Sequence, residues 1–212
     1  MPGWASRRIS WTVSDAVLIL LLWLGTRLLA GRAGLAVPIL LDRAWLLALS
    51  LGVGAGRRKA DAHDLGLFWT GGLSPVLTGV VAGLGLFALL VASRWAGQVA
   101  LGEVAPPLPP ALLPPDGLSP AGLAGTLLLA PLAEEVYFRG LTYPVLRRLL
   151  RPAPAMLLTG LWTALGVPAW GLPAGTVLGA ALALLYERGG SLLLPFVSHV
   201  VLNLLVILWG RP

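Results

Sequence analysis

Five side chains in this sequence could do chemistry together. Glu134, Glu135 and Arg139 sit in the run APLAEEVYFRGLTYPVLRR at residues 130–148, which is otherwise mostly apolar. His199 and Asn203 sit four apart in a second apolar run near the C-terminus. An ionised group at the centre of a bilayer helix costs roughly 2.5–3.5 kcal/mol on insertion scales, so three within six positions need a reason. Glu135 and Arg139 share a helix face at this spacing and can pair. Glu134 points about 100 degrees away at 3.6 residues per turn, so Arg139 need not neutralise it. A carboxylate left without a close partner in a low-dielectric site is tuned towards the work of a general base, here activating a water. His199 and Asn203 share one face of their own helix, and such donors suit stabilisation of a developing oxyanion. An acid with a water, facing two donors, is a plausible peptide-hydrolysis site.

Composition sets the solvent in which this must work. Of 212 residues, 57% are hydrophobic and 11% charged, against about 25% charged in soluble domains. An integral membrane domain follows, and at this length a single one, residues 1–212. Cysteine is absent, which excludes disulfides, thiolate nucleophiles and cysteine metal sites. Two histidines, His63 and His199, exclude an all-histidine metal centre. One histidine with carboxylates is a poor zinc set, so no cofactor is expected, and a divalent metal such as zinc is the poorly supported alternative. The net charge of +6 lies in short clusters between apolar runs, where membrane orientation explains it and nucleic acid need not.

The apolar runs predict an all-α, polytopic bundle of about seven spans around a membrane-embedded polar cavity. The spans are read at residues 13–30, 34–54, 73–92, 121–146, 154–170, 174–186 and 191–209. The first could be taken for a signal peptide. Its length, its Asp15 and Arg27, and the apolar run that soon follows make it a retained helix. Arg27 with Asp15, and Asp42 beside Arg43, are either pairs inside the first two spans or markers of their ends. Residues 93–120, with PPLPPALLPP, read as a loop or interfacial segment. With a cytoplasmic N-terminus, Arg7, Arg8, Arg57, Arg58, Lys59, Arg147, Arg148, Arg151 and Arg188 fall inside and only Arg32, Arg94 and Arg211 outside. Trp11, Trp69, Trp95, Trp170 and Trp209 lie near span ends, as interfacial belts would place them. At about 1.5 Å per residue, Glu134 lies about 20 Å from Arg147 and His199 about 16 Å from Arg188, so the two can meet at one depth.

EEVYFRG at residues 134–140 resembles the EExxxR motif of the CAAX protease and bacteriocin-processing (CPBP, or Abi) family of intramembrane endopeptidases. SHVVLN at residues 198–203 resembles that family's HxxxN motif, YERGGSLLLPFVSH its usual run into that motif, and HDLGL after Ala62 its pre-span segment. The similarity covers most of residues 65–208 and is weakest in the first two spans, residues 1–64. It implies helical spans around a cavity open to the cytoplasmic side, with Glu134 as the water-activating acid and Arg139 as its motif arginine. His199 and Asn203 become the oxyanion side. One departure stands out. The family's middle motif, FxxxH, matches Trp162-Thr163-Ala164-Leu165-Gly166, so glycine stands where a histidine is usual.

The resulting expectation is a glutamate-dependent intramembrane endopeptidase, a hydrolase whose partners are the lipid bilayer and a peptide or membrane-protein substrate. The alternative is an impaired relative acting as a membrane binding, immunity or scaffold protein. A transporter comes third, on intramembrane charge alone. Eukaryotic relatives of the family cut prenylated CAAX proteins, and bacterial ones are tied to bacteriocin maturation or self-immunity. Fourteen arginines to one lysine suit a GC-rich bacterial genome, and so a bacterial cell membrane, where prenylated substrates are rare. Substrate identity and oligomeric state are not encoded in any motif.

Overall fold

A computed structural model describes residues 9–35, 37–68, 71–101, 119–165 and 171–209, except the side chains of residues 94 and 96–101. Arg7, Arg8, Trp69, the Pro-rich stretch, Gly166, Pro168, Trp170 and Arg211 lie outside them. The described residues form seven helices, which are α1 Val13–Arg32, α2 Ile39–Arg57, α3 Ser74–Leu101, α4 Pro120–Leu149, α5 Pro152–Ala164, α6 Leu172–Gly189 and α7 Leu193–Trp209. No strand occurs among them.

Four of these helices, α1 to α4, are long and apolar enough to cross a membrane, and α7 is a shorter apolar helix. Leu21, Leu29, Leu77 and Val81 lie more than 60% exposed on α1 and α3, a surface that suits lipid and not water. The chain is an integral membrane protein. The 13 residues of α5 rise only about 20 Å, short of a hydrocarbon core of about 30 Å.

Several boundaries differ from the sequence reading. Helix α3 runs nine residues into the expected loop, because Ser93–Leu101 contains no proline to stop it. Asp42 and Arg43 lie inside the first turns of α2 and do not mark its end. Asp15 does not pair with Arg27. It takes Arg58 at 2.9 and 3.0 Å, which joins the start of α1 to the end of α2 as an antiparallel hairpin. Trp11 is no interfacial belt residue. It is buried and donates to the Leu141 carbonyl at 2.8 Å.

Helix α4 sits at the centre. One face packs on α1 and α2 through Ile19, Leu20, Trp23, Leu46, Ala133, Tyr137 and Leu141, and Tyr137 donates to the Ala16 carbonyl at 2.7 Å. The other packs on α5, α6 and the head of α7 through Val136, Tyr143, Ala155, Ala183, Tyr186 and Leu192. Gly190, at φ +74°, ends α6 in a left-handed turn that starts the return into α7. Small residues let helices cross closely where lipid offers no hydrophobic drive. Gly160 of α5 lies against Gly179, and a Cβ on Gly160 would collide with the Thr176 carbonyl and the Ala180 amide of α6.

Gly160→Ala should therefore destabilise the bundle by about 1–3 kcal/mol, the usual cost of overpacking. Gly85→Ala should be neutral or better, because its added Cβ meets nothing within 4 Å. Thermal unfolding of both variants in one detergent checks this, and equal unfolding temperatures would refute the close crossing.

Candidate active site

Proline shapes the helix that carries the acids. Helix α4 has wide, five-residue turns at Gly125–Leu129 and Val136–Thr142, with ordinary turns at Ala130–Glu135 between them. The Ala130 N–H donates five residues back to Gly125. The next donor in that ladder would be residue 131, a proline, so the Thr126 carbonyl loses its partner. Asn203 of α7 supplies one, with Nδ2 donating to the Thr126 oxygen at 3.0 Å. Likewise the Tyr143 N–H donates back to Phe138, and Pro144 ends the second wide turn. Wide turns of this kind collect at functional sites.

Glu135 and Arg139 pair as their spacing implies, Nη1 to Oε1 at 3.1 Å, and both side chains are fully buried. Arg139 Nη2 also donates to the Gly179 carbonyl of α6 at 2.8 Å. His199 reaches the same oxygen of Glu135 through Nδ1 at 2.9 Å. Its Nε2 lies 3.8 Å from Glu134 Oε2. One imidazole thus bridges the two acids of the motif.

Two expectations are corrected here. Glu134 is not without a partner: Arg43 of α2 lies 3.0 Å from its Oε1. The EExxxR motif does not contain that cation. The packing of α2 along Ala130–Glu135 brings it in. The only sequence signal was Asp42-Arg43 inside an apolar run. Asn203, in turn, is not without a partner: it donates one N–H to the Thr126 carbonyl, because the carbonyl freed by Pro131 lies in its reach. Trp162 of the middle motif packs on the core around Tyr137.

The carboxylate oxygen of Glu135 can only accept, so a neutral His199 ring would donate to it from Nδ1 and present Nε2 as an acceptor. Oε2 of Glu134 and Nε2 of His199 are then two acceptors facing one gap, which suits a water that donates to both. A cleft of about 290 Å³ adjoins, lined by Leu67, Phe68, Leu132, Leu192 and Phe196, with Glu135 its ionisable residue. It is largely apolar where a polar cavity was expected. Gly140 lets the backbone at Leu65 come close, since a Cβ there would meet the Leu65 carbonyl at 2.9 Å. The Gly66 carbonyl then accepts from the Leu192 N–H at 2.9 Å. With Nδ1 committed to Glu135, one imidazole nitrogen and Glu134 fall short of the three protein ligands of a catalytic zinc site.

Residues 117–205 match the family model described as type II CAAX prenyl endopeptidase Rce1-like. This segment is similar to that family. The match bears out the resemblance read from the two motifs and contains Glu134, Glu135, Arg139, His199 and Asn203. It begins later than residue 65, so α1, α2 and α3, with Arg43, lie outside the Rce1-like segment. No match is found among curated proteins or among solved structures.

Arg139→Leu should cost about 3–5 kcal/mol, because it strands the fully buried Glu135. Adding Glu135→Gln should recover part of that loss, since a neutral partner removes the stranded charge. Thermal unfolding in detergent checks both, and a single variant as stable as the parent would show that the pair is not what holds this region.

Proposed function

We propose that this chain is an intramembrane endopeptidase in which Glu134 activates a water to hydrolyse a peptide bond near the cytoplasmic face. The observation that carries this reading is the 3.8 Å gap between Glu134 Oε2 and His199 Nε2, two acceptors converging from α4 and α7. A water held there presents its oxygen lone pair to a scissile carbonyl. On attack, the water oxygen bonds to the carbonyl carbon and one water proton passes to Glu134 Oε2. The resulting oxyanion is met by donors, for which the second N–H of the half-buried Asn203 amide is available. Glu134 returns its proton to the amide nitrogen, the carbon–nitrogen bond breaks, and the products are a carboxyl group and an amine. Glu135 and Arg139 hold His199 in the tautomer this needs.

The Rce1-like match supports a peptidase, and the apolar helices support a substrate that arrives from the membrane. The clusters of arginine favour a cytoplasmic N-terminus with seven crossings, and the arginine bias favours a bacterial membrane. The family description names a prenylated C-terminal peptide as one substrate class to try; unprenylated membrane peptides are the other.

A second reading has its own observation. Arg43 occupies one oxygen of Glu134, and Thr126 occupies Asn203, so both groups have partners without substrate. On this reading the chain keeps the fold as a binding or immunity protein and cuts nothing.

Purified protein in lipid nanodiscs, incubated with prenylated and unprenylated fluorogenic peptides, separates the two. Cleavage is expected, with Glu134→Gln reducing it by at least about 10²-fold and His199→Ala by about 10²–10⁴-fold, the range for general acid–base groups. Unaltered turnover in Glu134→Gln would remove Glu134 from its role. Peptide binding without any cleavage would favour the second reading.

A further inference from the structure

We propose that Arg43 is a positioning residue for Glu134, supplied by a helix outside the Rce1-like segment. The inference rests on the peptidase reading above. The terminal torsion of a glutamate is broad and roughly two-fold, so a carboxylate plane must be fixed from outside if one oxygen is to face a water. Arg43 Nη2 holds Oε1 at 3.0 Å, and it is the other oxygen, Oε2, that looks towards His199 Nε2 at 3.8 Å. One oxygen is tethered and the other is left to work.

The tether is itself held. Arg43 Nε lies 3.6 Å from Asp42 Oδ2. Its guanidinium carbon lies 5.2 Å from the Trp23 ring centroid, with Arg27 at 5.1 Å on the same ring. Asp42 accepts from Trp23 Nε1 at 3.1 Å and lies 3.6 Å from Arg27. Arg43 and Glu134 keep side-chain exposures of only 18% and 17%, so water screens their pairing weakly. A planar guanidinium presents donors in a fixed fork, whereas an ammonium is a point charge on a flexible stem. Orientation should therefore need arginine, while attraction alone should accept lysine.

The test measures kcat, KM and thermal unfolding for the parent, Arg43→Lys, Arg43→Gln and Arg43→Ala in nanodiscs. A thermal double-mutant cycle pairs Arg43→Gln with Glu134→Gln. The expected result is a kcat 10–100-fold lower in Arg43→Gln with KM within about threefold, since misplacing a reacting group by about an ångström costs on that order. Arg43→Lys should fall between parent and Arg43→Gln, and millimolar guanidinium should restore part of the kcat of Arg43→Ala. Loss of stability with unchanged kcat, or full activity in Arg43→Lys without rescue of Arg43→Ala, would overturn the inference and leave the peptidase reading intact. A parent that cleaves nothing would overturn the peptidase reading and with it the catalytic role. Additive effects in the thermal cycle would overturn the tether itself.

Discussion

Everything at the centre of this bundle depends on one oxygen. Oε1 of Glu135 accepts from Arg139 at 3.1 Å and from His199 at 2.9 Å, with the side chains of the glutamate and the arginine fully buried. A buried carboxylate without such partners would be prohibitive, and with them it becomes a joint. Arg139 carries the joint to α6 through the Gly179 carbonyl, and His199 carries it to α7. Three helices are thereby fixed in register by one polar contact set in a medium that offers no competing donors. The ion pair has a structural role that holds whether or not the protein cuts a peptide, and it also fixes the histidine ring that faces Glu134.

Proline makes the second contribution. Pro131 and Pro144 each remove a donor from α4, and the helix answers with wide turns on both sides of the acids. An amide from α7 satisfies the orphaned Thr126 carbonyl. The link between α4 and α7 is thus fastened twice, by the histidine near Glu135 and by Asn203 near Thr126. Register between the two helices is a consequence of backbone chemistry as much as of the charged motif.

What the sequence could show follows from range. Apolar runs announce helices because each is a local property, and all seven were legible to within a few residues among the described residues, apart from the extension of α3. The Glu135–Arg139 pair was legible because four residues is a local distance. The partner of Glu134 was not. Arg43 lies 91 positions away and reaches Glu134 only through the packing of α2 on α4, which no periodicity encodes. Asp15 misled for the same reason: Arg27 was the nearer cation in sequence, and Arg58 the nearer in space. Asn203 was assigned by its residue type, whereas its partner was decided by a proline 72 positions earlier.

The charges form a closed account. Arg27, Asp42, Arg43, Glu134, His199, Glu135 and Arg139 make a chain in which each lies within 4 Å of the next. Three cations and three anions meet one imidazole, so with that ring neutral the cluster carries no net charge. The proposed hydrolysis preserves that balance at every step. When Glu134 takes the proton of water it loses its charge, and the carbonyl oxygen gains one. The negative charge moves across the site and does not leave it or enter it. A carboxylate base suits this environment better than a neutral one would, because a neutral base would create a separated ion pair where the dielectric is least able to support it.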